Sequence, residues 1–523
     1  MPIQKFSSPG YHTTLKGGMV HSTTASLDYA LNLLDCYDEI MRLRAIDILS
    51  KIVTLQDTNR QSRNFGLWSW FLEEPLEKMS PPDRNWADFC GRRLIEILLN
   101  HQKRLPGPLV VKIDSAISYA AEEIKLRDQS PDYTNIAVMG TFVLVMAGEV
   151  LHSKELKAYG FYRLKRFYDY TNREGGFTEY NSPNYARVVI EELNKMRLYF
   201  RDTDELKMVN ELYYKAWREI AIHYHAKTQQ WSGPHSRSYN TILKNETMIH
   251  NSVLPADKKV FTLDSYRNVN NLPDSLIKYI TDSTSTRFVV DTFKRSKPSF
   301  IGTTYLTPSF SLGSINSQDM WEQRRDLVAY WGKKNAVTSV RIRFLHDQKD
   351  FSSAIFRGKQ LKNKVLGGIS FITNGGDTHP SLDKVKNGTI EASNLCIRFQ
   401  FEGEGLKTIK VDTSMYINGF VNVIANGMHI FVAVPFLTFN NEKGYWSYGN
   451  DELGYHLDFI CYRGPSRSYN IATMNKAAAA IAFSISNTAE DTLGAVNAAG
   501  NESNVNVNWN GLSLTFPIKP YKQ

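Results

Sequence analysis

The chain has 523 residues, of which 42% are hydrophobic and 22% charged, and its formal net charge at pH 7 is +9. This length is enough for two domains with large cores, and the composition is typical of a globular protein. Four cysteines without a CxxC pair exclude a zinc ribbon and a disulfide-based scaffold. No lysine and arginine block forms a nucleic-acid-binding arm, so nucleic acid is not predicted as a partner, and the positive charge favours an acidic glycan.

The chain start and the longest apolar run bear on localisation. The segment MPIQKFSSPGYHTT contains no apolar stretch, so no secretory signal is visible. We expect a secreted or periplasmic protein if a signal has been trimmed, and a cytoplasmic one otherwise. The apolar run 136–148 is too short to span a bilayer, so no membrane span is predicted, and the run is typical of a helix buried on all sides.

The first half of the chain has the apolar spacing of helices. The segments with this spacing are 26–53, 86–102, 110–127, 155–171, 186–200 and 204–225. The connections between them are short and polar, which favours antiparallel helix pairs.

The second half has the alternating pattern of strands, for example over 340–344, 395–401 and 429–436. Asn-Gly pairs, which favour type I′ hairpins, begin at positions 374, 387, 418, 426 and 510. The predicted fold class is therefore α+β and multidomain, with N-terminal helical hairpins followed by a C-terminal antiparallel β-sandwich. We expect a helical catalytic domain over 1–255, a crossover with the first strands over 256–330, and the β-sandwich domain over 331–523.

Polar residues recur at the predicted helix starts with a nearly constant interval. Asn85, Asn135, Asn181 and His235 are separated by 50, 46 and 54 residues, and each interval fits one helical hairpin with its loops. If the hairpins stack in one orientation, these loops lie on one rim, and Asn85 and Asn135 are then substrate-binding candidates. Taken singly, each Asn is also a good helix cap.

The segment GGFTEYNSPNYARVVIEEL, residues 175–193, is the first dense cluster of candidates. Asn181 and Ser182 before a proline are typical of a helix start. Helix capping does not require Glu179, Tyr180 or Tyr185, so we predict that these three side chains bind substrate.

The segment WSGPHSRSYN, residues 231–240, is the second cluster. His235, Arg237 and Tyr239 alternate, which places three side chains on one face of an extended segment, with Trp231 nearby. The alternative is a surface loop whose polar residues are unrelated.

These residue types suit β-elimination from a uronic acid. Asn181 and Arg237 would stabilise the charge that develops at the substrate carboxylate, and His235 or Tyr239 would take the C5 proton. A tyrosine would return a proton to the leaving glycosidic oxygen, and Arg237 would lower the pKa of a tyrosine base. Motifs for metal ligation, phosphate binding and serine hydrolysis are absent, so no cofactor is predicted.

Helical hairpins followed by an antiparallel sandwich resemble the α/α-toroid polysaccharide lyases, which include hyaluronate and chondroitin AC lyases, alginate lyases and the heparinase II/III type. In several of these an Asn on one hairpin is followed by His and then Tyr, with Arg assisting. Asn181, His235 and Tyr239 match that order, with Arg237 between them. The resemblance implies an incomplete toroid, a lyase acting on an anionic polysaccharide, and these four catalytic residues. The interval from His235 to Tyr239 is shorter than in the hyaluronate-lyase pattern, so Tyr180 and Tyr185 stay open as the catalytic phenol.

Two other functions fit the same residues. A glycoside hydrolase on this scaffold would use Glu179 or a nearby carboxylate as its general acid. A non-catalytic glycan-binding protein would need only the aromatic rings and the basic surface. Trp321, Arg324 and Arg325 are further candidates for a basic, aromatic wall, and a strand with solvated arginines is the alternative there. The pattern leaves the polymer and the oligomeric state open.

Overall fold

The computed structural model describes residues 1–6, 11–244, 248–249, 252, 271–375, 385–417, 420–440, 442–489 and 495–523. The chain forms two compact units that interleave along the sequence. The first unit comprises Met1–Arg173, Arg187–Ala216 and His250–Asn271, and the second comprises Glu174–Ala186, Trp217–Ile249 and Leu272–Gln523.

Helices dominate the described residues before position 224. They are α1 Thr23–Asp35, α2 Glu39–Ile52, α3 Trp86–His101, α4 Gly107–Arg127, α5 Thr134–Val150, α6 Lys154–Glu174, α7 Tyr185–Tyr199 and α8 Thr203–His223. A ninth helix among the described residues, α9 Asp274–Thr281, follows later.

Local capping explains why the helical segment 26–53 divides into two helices. Ser22 accepts a hydrogen bond from the backbone of Ala25 at the start of α1, and Asp38 accepts one from Met41 at the start of α2. Between them Tyr37 has a φ angle of 53°, which turns the chain back. Helices α1 and α2 then pack as a hairpin.

Helix α5 contains the apolar run and is buried on all sides from residue 134 to residue 148, as predicted. It packs closely on α6, because Gly148 and Gly160 leave no room for a Cβ between the two helices. None of the helices in the described ranges combines the length and the apolar character that crossing a bilayer requires.

Strands make up most of the second unit, with a short two-stranded sheet in the first. The strands are β1 Gln4–Phe6, β2 Gly18–Val20, β3 Tyr224–His225, β4 Gln230–Trp231, β5 Arg287–Lys294, β6 Phe300–Leu306, β7 Phe310–Ile315, β8 Ser317–Asp319, β9 Leu327–Lys333, β10 Ala336–His346, β11 Lys349–Asp350, β12 Ala354–Leu361, β13 Lys364–Phe371, β14 Thr389–Glu402, β15 Ile409–Ile417, β16 Phe420–Ala425, β17 Met428–Phe439, β18 Tyr445–Asp451, β19 Gly454–Asn470, β20 Ala477–Ser486, β21 Asn497–Gly500, β22 Asn504–Trp509 and β23 Leu512–Pro517.

Two large antiparallel sheets form a β-sandwich. One sheet has the order β18-β19-β14-β10-β9-β7-β6-β5 with β11 beside β10, and the other has the order β15-β16-β17-β20-β13-β12-β8. Alternate residues of both sheets, such as Ile342 and Phe344 of β10 with Ile481 and Phe483 of β20, belong to one buried apolar cluster. The three-stranded sheet β21-β22-β23 adds a third layer, because its Val505 and Val507 share a second cluster with the other face of β20.

Asn-Gly pairs close hairpins, as their chemistry predicts. The pairs beginning at Asn387, Asn426 and Asn510 have positive φ at both residues, and residues on either side of each pair are bridged. Asn374 instead lies in a bend, where its side chain hydrogen-bonds the backbone of Gln523. The pair at 418 lies outside the described residues. The predicted fold class, with N-terminal helices followed by an antiparallel β-sandwich, is confirmed.

Candidate active site

Two polar segments, 175–184 and 232–240, meet within the second unit. The carbonyl oxygen of Tyr180 accepts hydrogen bonds from the backbone and the hydroxyl of Ser236, at 3.1 and 2.6 Å. The hydroxyl of Ser182 donates to the carbonyl oxygen of Arg237 at 2.6 Å. Residues about 55 positions apart in the sequence are therefore in direct contact.

The first segment takes its shape from the ends of two helices. Helix α6 ends at Glu174, and Gly175 follows with a φ angle of 100°, a conformation that favours glycine. Ser182 then accepts a hydrogen bond from the backbone of Tyr185 at 3.2 Å, so Ser182 caps α7.

Asn181 connects the two segments through hydrogen bonds of its side chain. Its φ angle is 42°, a left-handed conformation that Asn tolerates better than most residues. Its amide nitrogen donates to the carbonyl oxygens of Ser232 and Pro234, at 2.7 and 2.8 Å, and its backbone nitrogen donates to Glu219 at 2.6 Å. The side chain is 0% exposed, so both amide hydrogens serve the backbone of the second segment.

His235 contacts Asn181 through its imidazole ring. Its Nδ1 donates to the carbonyl oxygen of Asn181 at 2.6 Å, which leaves Nε2 as an acceptor 3.5 Å from the hydroxyl of Tyr330. The residue is 1% exposed, and burial lowers its pKa to about 3. The imidazole is therefore neutral at ordinary pH and does not reach solvent.

Arg237 is held by a carboxylate, an amide and two aromatic rings. Its Nη1 donates to Glu179 at 3.1 Å, and its Nε donates to Gln323 at 3.0 Å. The guanidinium carbon lies 4.1 Å from the ring centre of Tyr185 and 5.3 Å from that of Trp321, within the range of cation–π attraction. These contacts fix the plane of a half-buried guanidinium.

A pair of phenols adjoins this guanidinium. The hydroxyls of Tyr185 and Tyr239 are 2.5 Å apart, and the rings meet edge to face with their centres 6.1 Å apart. Tyr239 is 57% exposed, and its backbone nitrogen donates to Asn184. Burial raises the pKa of Tyr185, although Arg237 opposes that rise. Tyr185 therefore keeps its proton at neutral pH, and either hydroxyl of the pair can be the donor.

Two predicted substrate-binding residues lie inside the core. Tyr180 is 0% exposed and stacks on Phe293 with the ring centres 4.5 Å apart. Trp231 is fully buried in β4, opposite Tyr224 of β3. Both rings pack the base of the two segments, so in this structure neither is open to a ligand.

The other two predicted binding residues, Asn85 and Asn135, belong to the first unit. Asn85 immediately precedes α3, and its side-chain oxygen accepts a hydrogen bond from Arg127 at 2.9 Å. Asn135 is buried in the first turn of α5. Helices therefore begin at or near three of the four periodic positions, whereas His235 lies in an irregular segment that bridges to Arg325.

The turn that links β8 to β9 completes the cluster. Trp321 and Gln323 contact Arg237 from this turn, and Arg324 is ion-paired with Asp319 at 3.1 Å and donates to the carbonyl oxygen of Ser236. The alternative of a strand with solvated arginines is wrong, because the arginines lie at a turn and Arg325 is 2% exposed. Gln323 and Asp319 were not predicted, since their only sequence signal is their proximity to Trp321.

The cluster within the second unit therefore contains a guanidinium, a carboxylate and two phenols beside an indole. Across the chain segments that the structure describes, no group of three or more His, Cys, Asp or Glu side chains is arranged to hold a metal ion.

One family model and several solved structures match the chain. Residues 6–261 match the model of a family described as a domain of unknown function (DUF8769). No curated protein sequence matches the chain.

Solved structures similar to the chain include a heparinase and a heparan sulfate lyase. A heparinase III with methylated lysines is 11% identical, with a TM-score of 0.41, over 95% of this chain and 82% of the other. A mutant of the heparan sulfate lyase HepC from Pedobacter heparinus is 10% identical, with a TM-score of 0.39, over 94% and 82%. The endoglucanase CelQ from Clostridium thermocellum, complexed with cellotetraose, is 10% identical, with a TM-score of 0.22, over 90% and 93%.

Proposed function

We propose that the protein is a polysaccharide lyase that cleaves an anionic, uronic-acid-containing polysaccharide by β-elimination. The observation that carries this proposal is the exposed phenol of Tyr239, hydrogen-bonded to Tyr185 beside the guanidinium of Arg237. β-Elimination needs a cation at the substrate carboxylate and a proton-transfer group at C5, and this cluster supplies both.

Arg237 is the group proposed to bind the substrate carboxylate. A guanidinium at the carboxylate stabilises the negative charge that develops when the C5 proton leaves. The rings of Tyr185 and Trp321 and the amide of Gln323 keep this guanidinium in one orientation, so little reorganisation is needed when the substrate arrives.

Tyr239 is the proposed proton-transfer group. Tyr239 would react as a phenolate, with the hydroxyl of Tyr185 donating to its oxygen and stabilising the negative charge there. The phenolate takes the C5 proton and becomes a phenol. The same oxygen then returns a proton to the leaving glycosidic oxygen. The reaction consumes no water and leaves a C4–C5 double bond on the new chain end.

In this proposal Asn181 and His235 are positioning residues that take no direct part in the chemistry. With 0% and 1% exposure, they position the segment that carries Arg237 and Tyr239 and do not touch the substrate in this conformation. The sequence pattern assigned both residues a direct chemical role, and the hydrogen bonds of the two side chains support a positioning role instead.

The test is a screen of hyaluronan, alginate, glucuronan and heparan-type polymers for ultraviolet absorbance from the unsaturated product. We expect Tyr239→Phe to lower the rate by at least about 100-fold, the usual worth of a proton-transfer group. Tyr445→Phe removes a hydroxyl from another exposed phenol of the second unit and should leave the rate unchanged.

Other outcomes identify the rival functions. New reducing ends without a double bond would indicate the hydrolase, with Glu179 as the carboxylate to test first. Binding without cleavage of any polymer would indicate a glycan-binding protein. Full activity in Tyr239→Phe would refute the assigned chemistry even if unsaturated product forms.

A further inference from the structure

The carboxylate of Glu179 is ion-paired with Arg237, the group proposed to bind the substrate carboxylate. Its Oε1 lies 3.1 Å from Nη1 of Arg237, and the two side chains are only 9% and 18% exposed. The aromatic and amide contacts of Arg237 leave it in place if Glu179 moves away.

An ion pair with this little exposure is costly to break without a replacement. Removing one partner leaves the other charge poorly solvated, and this is the main cost of disrupting a buried pair. A neutral sugar hydroxyl carries no charge to offset that loss. A uronate carboxylate does carry one, so it can take the place of Glu179 on the guanidinium.

We propose that Glu179 is an exchangeable counter-ion of Arg237, which the carboxylate of an acidic sugar must displace from the guanidinium. The inference rests on the proposed function. It assigns Glu179 the role of a competitor of the substrate, distinct from that of the general acid in a hydrolase. The charge of Glu179 lowers the affinity for acidic ligands, whereas a neutral ligand leaves the ion pair in place.

The variant that tests this is Glu179→Gln, which keeps the shape and one oxygen acceptor for Arg237 but removes the negative charge. Binding is measured by calorimetry with acidic hexasaccharides from the four polymers and with neutral cellohexaose, in the Tyr239→Phe background so that no ligand is consumed. We expect an acidic hexasaccharide to bind at least about tenfold more tightly, in line with the strength of a charge-assisted hydrogen bond that is largely shielded from solvent. Affinity for cellohexaose should rise less, so the preference for the acidic ligand increases.

Two further variants separate the pair from general charge effects. Glu322→Gln removes the same charge from the neighbouring turn and should leave the affinity for acidic ligands within twofold of the parent. Glu179→Asp keeps the charge but shortens the side chain, and it should give a smaller gain than Glu179→Gln. A similar gain in Glu322→Gln would attribute the effect to net charge and overturn the proposal.

The outcomes also distinguish this inference from the proposed function. Unsaturated product from the parent chain with unchanged or weaker acidic-ligand binding in Glu179→Gln overturns the counter-ion and leaves the lyase standing. Loss of a hydrolytic activity in Glu179→Gln makes Glu179 a general acid and overturns both. No binding and no cleavage of any acidic ligand also overturns both.

Discussion

Replacing Asn181 tests whether this side chain positions the site or touches the substrate. In Asn181→Ala the carbonyl oxygens of Ser232 and Pro234 lose donors at 2.7 and 2.8 Å in a region without solvent. Each buried acceptor left without a donor costs about 1–3 kcal/mol. A Cβ-bearing residue other than Asn at a φ angle of 42° adds about 1 kcal/mol.

The expected loss in the free energy of unfolding is therefore about 3–7 kcal/mol for Asn181→Ala, against about 2–6 kcal/mol for Asn181→Gly, which accepts the positive φ. Urea titration followed by tryptophan fluorescence measures both values. Hydrogen exchange of peptides from 232–240, compared with peptides from β22 and β23, shows whether the loss is local.

The activity of the same variants decides between the two roles. If Asn181 positions the segment, cleavage and local protection fall together, and Asn181→Gly keeps more of both than Asn181→Ala. A variant with unchanged stability and exchange but strongly reduced cleavage would refute the positioning role and restore direct contact with the substrate.

Further predictions concern pH and packing. His235 has a pKa of about 3 when folded and about 6.5 when unfolded, so between these values only the unfolded chain binds its proton. The free energy of unfolding should therefore fall as pH drops from about 6.5 towards 3, and it should fall less steeply in His235→Gln. Urea titration across that pH range measures both slopes. Equal slopes in the two proteins would contradict the burial of His235. Gly313→Ala should destabilise the second unit by at least about 2 kcal/mol, because the new methyl would overlap the carbonyl group of Gly233. The control is Gly427→Ala, whose methyl meets no atom within 4 Å, so this variant tests the cost of positive φ alone. An unchanged melting temperature in Gly313→Ala would rule out this close approach.

Elements with local causes could be predicted from the sequence. Helix α5 follows from an uninterrupted apolar run, and the hairpins at Asn426 and Asn510 follow from the φ angles that Asn-Gly favours. Strands β10 and β14 contain the alternating segments that predicted them. In each case the signal lies within a few residues of the structure it specifies.

The sequence predicted several residues of the candidate site, but it did not predict which of them are buried and which are exposed. The nearly regular interval brought Asn181 and His235 together, and the structure has them hydrogen-bonded at 2.6 Å. Alternation placed His235, Arg237 and Tyr239 on one face, yet His235 is buried and Tyr239 is 57% exposed. The turn that pairs with His235 through Arg325 lies 90 residues further along the chain, and a local pattern contains no information about such a partner.

The interleaving of the two units has a consequence for how the protein is synthesised. The pieces carrying Glu179, Arg237 and Trp321 leave the ribosome at separate times. The last of them directly precedes β9, a strand of a sheet that needs β19 and β18 to be complete. The N-terminal helices can pack while the chain is still being synthesised, whereas the cluster can form only after most of the chain has emerged. A fragment that ends near residue 271 would therefore carry Glu179, Tyr185, Arg237 and Tyr239 without the turn that contacts Arg237. A fragment starting at residue 272 would lack the guanidinium of Arg237 altogether.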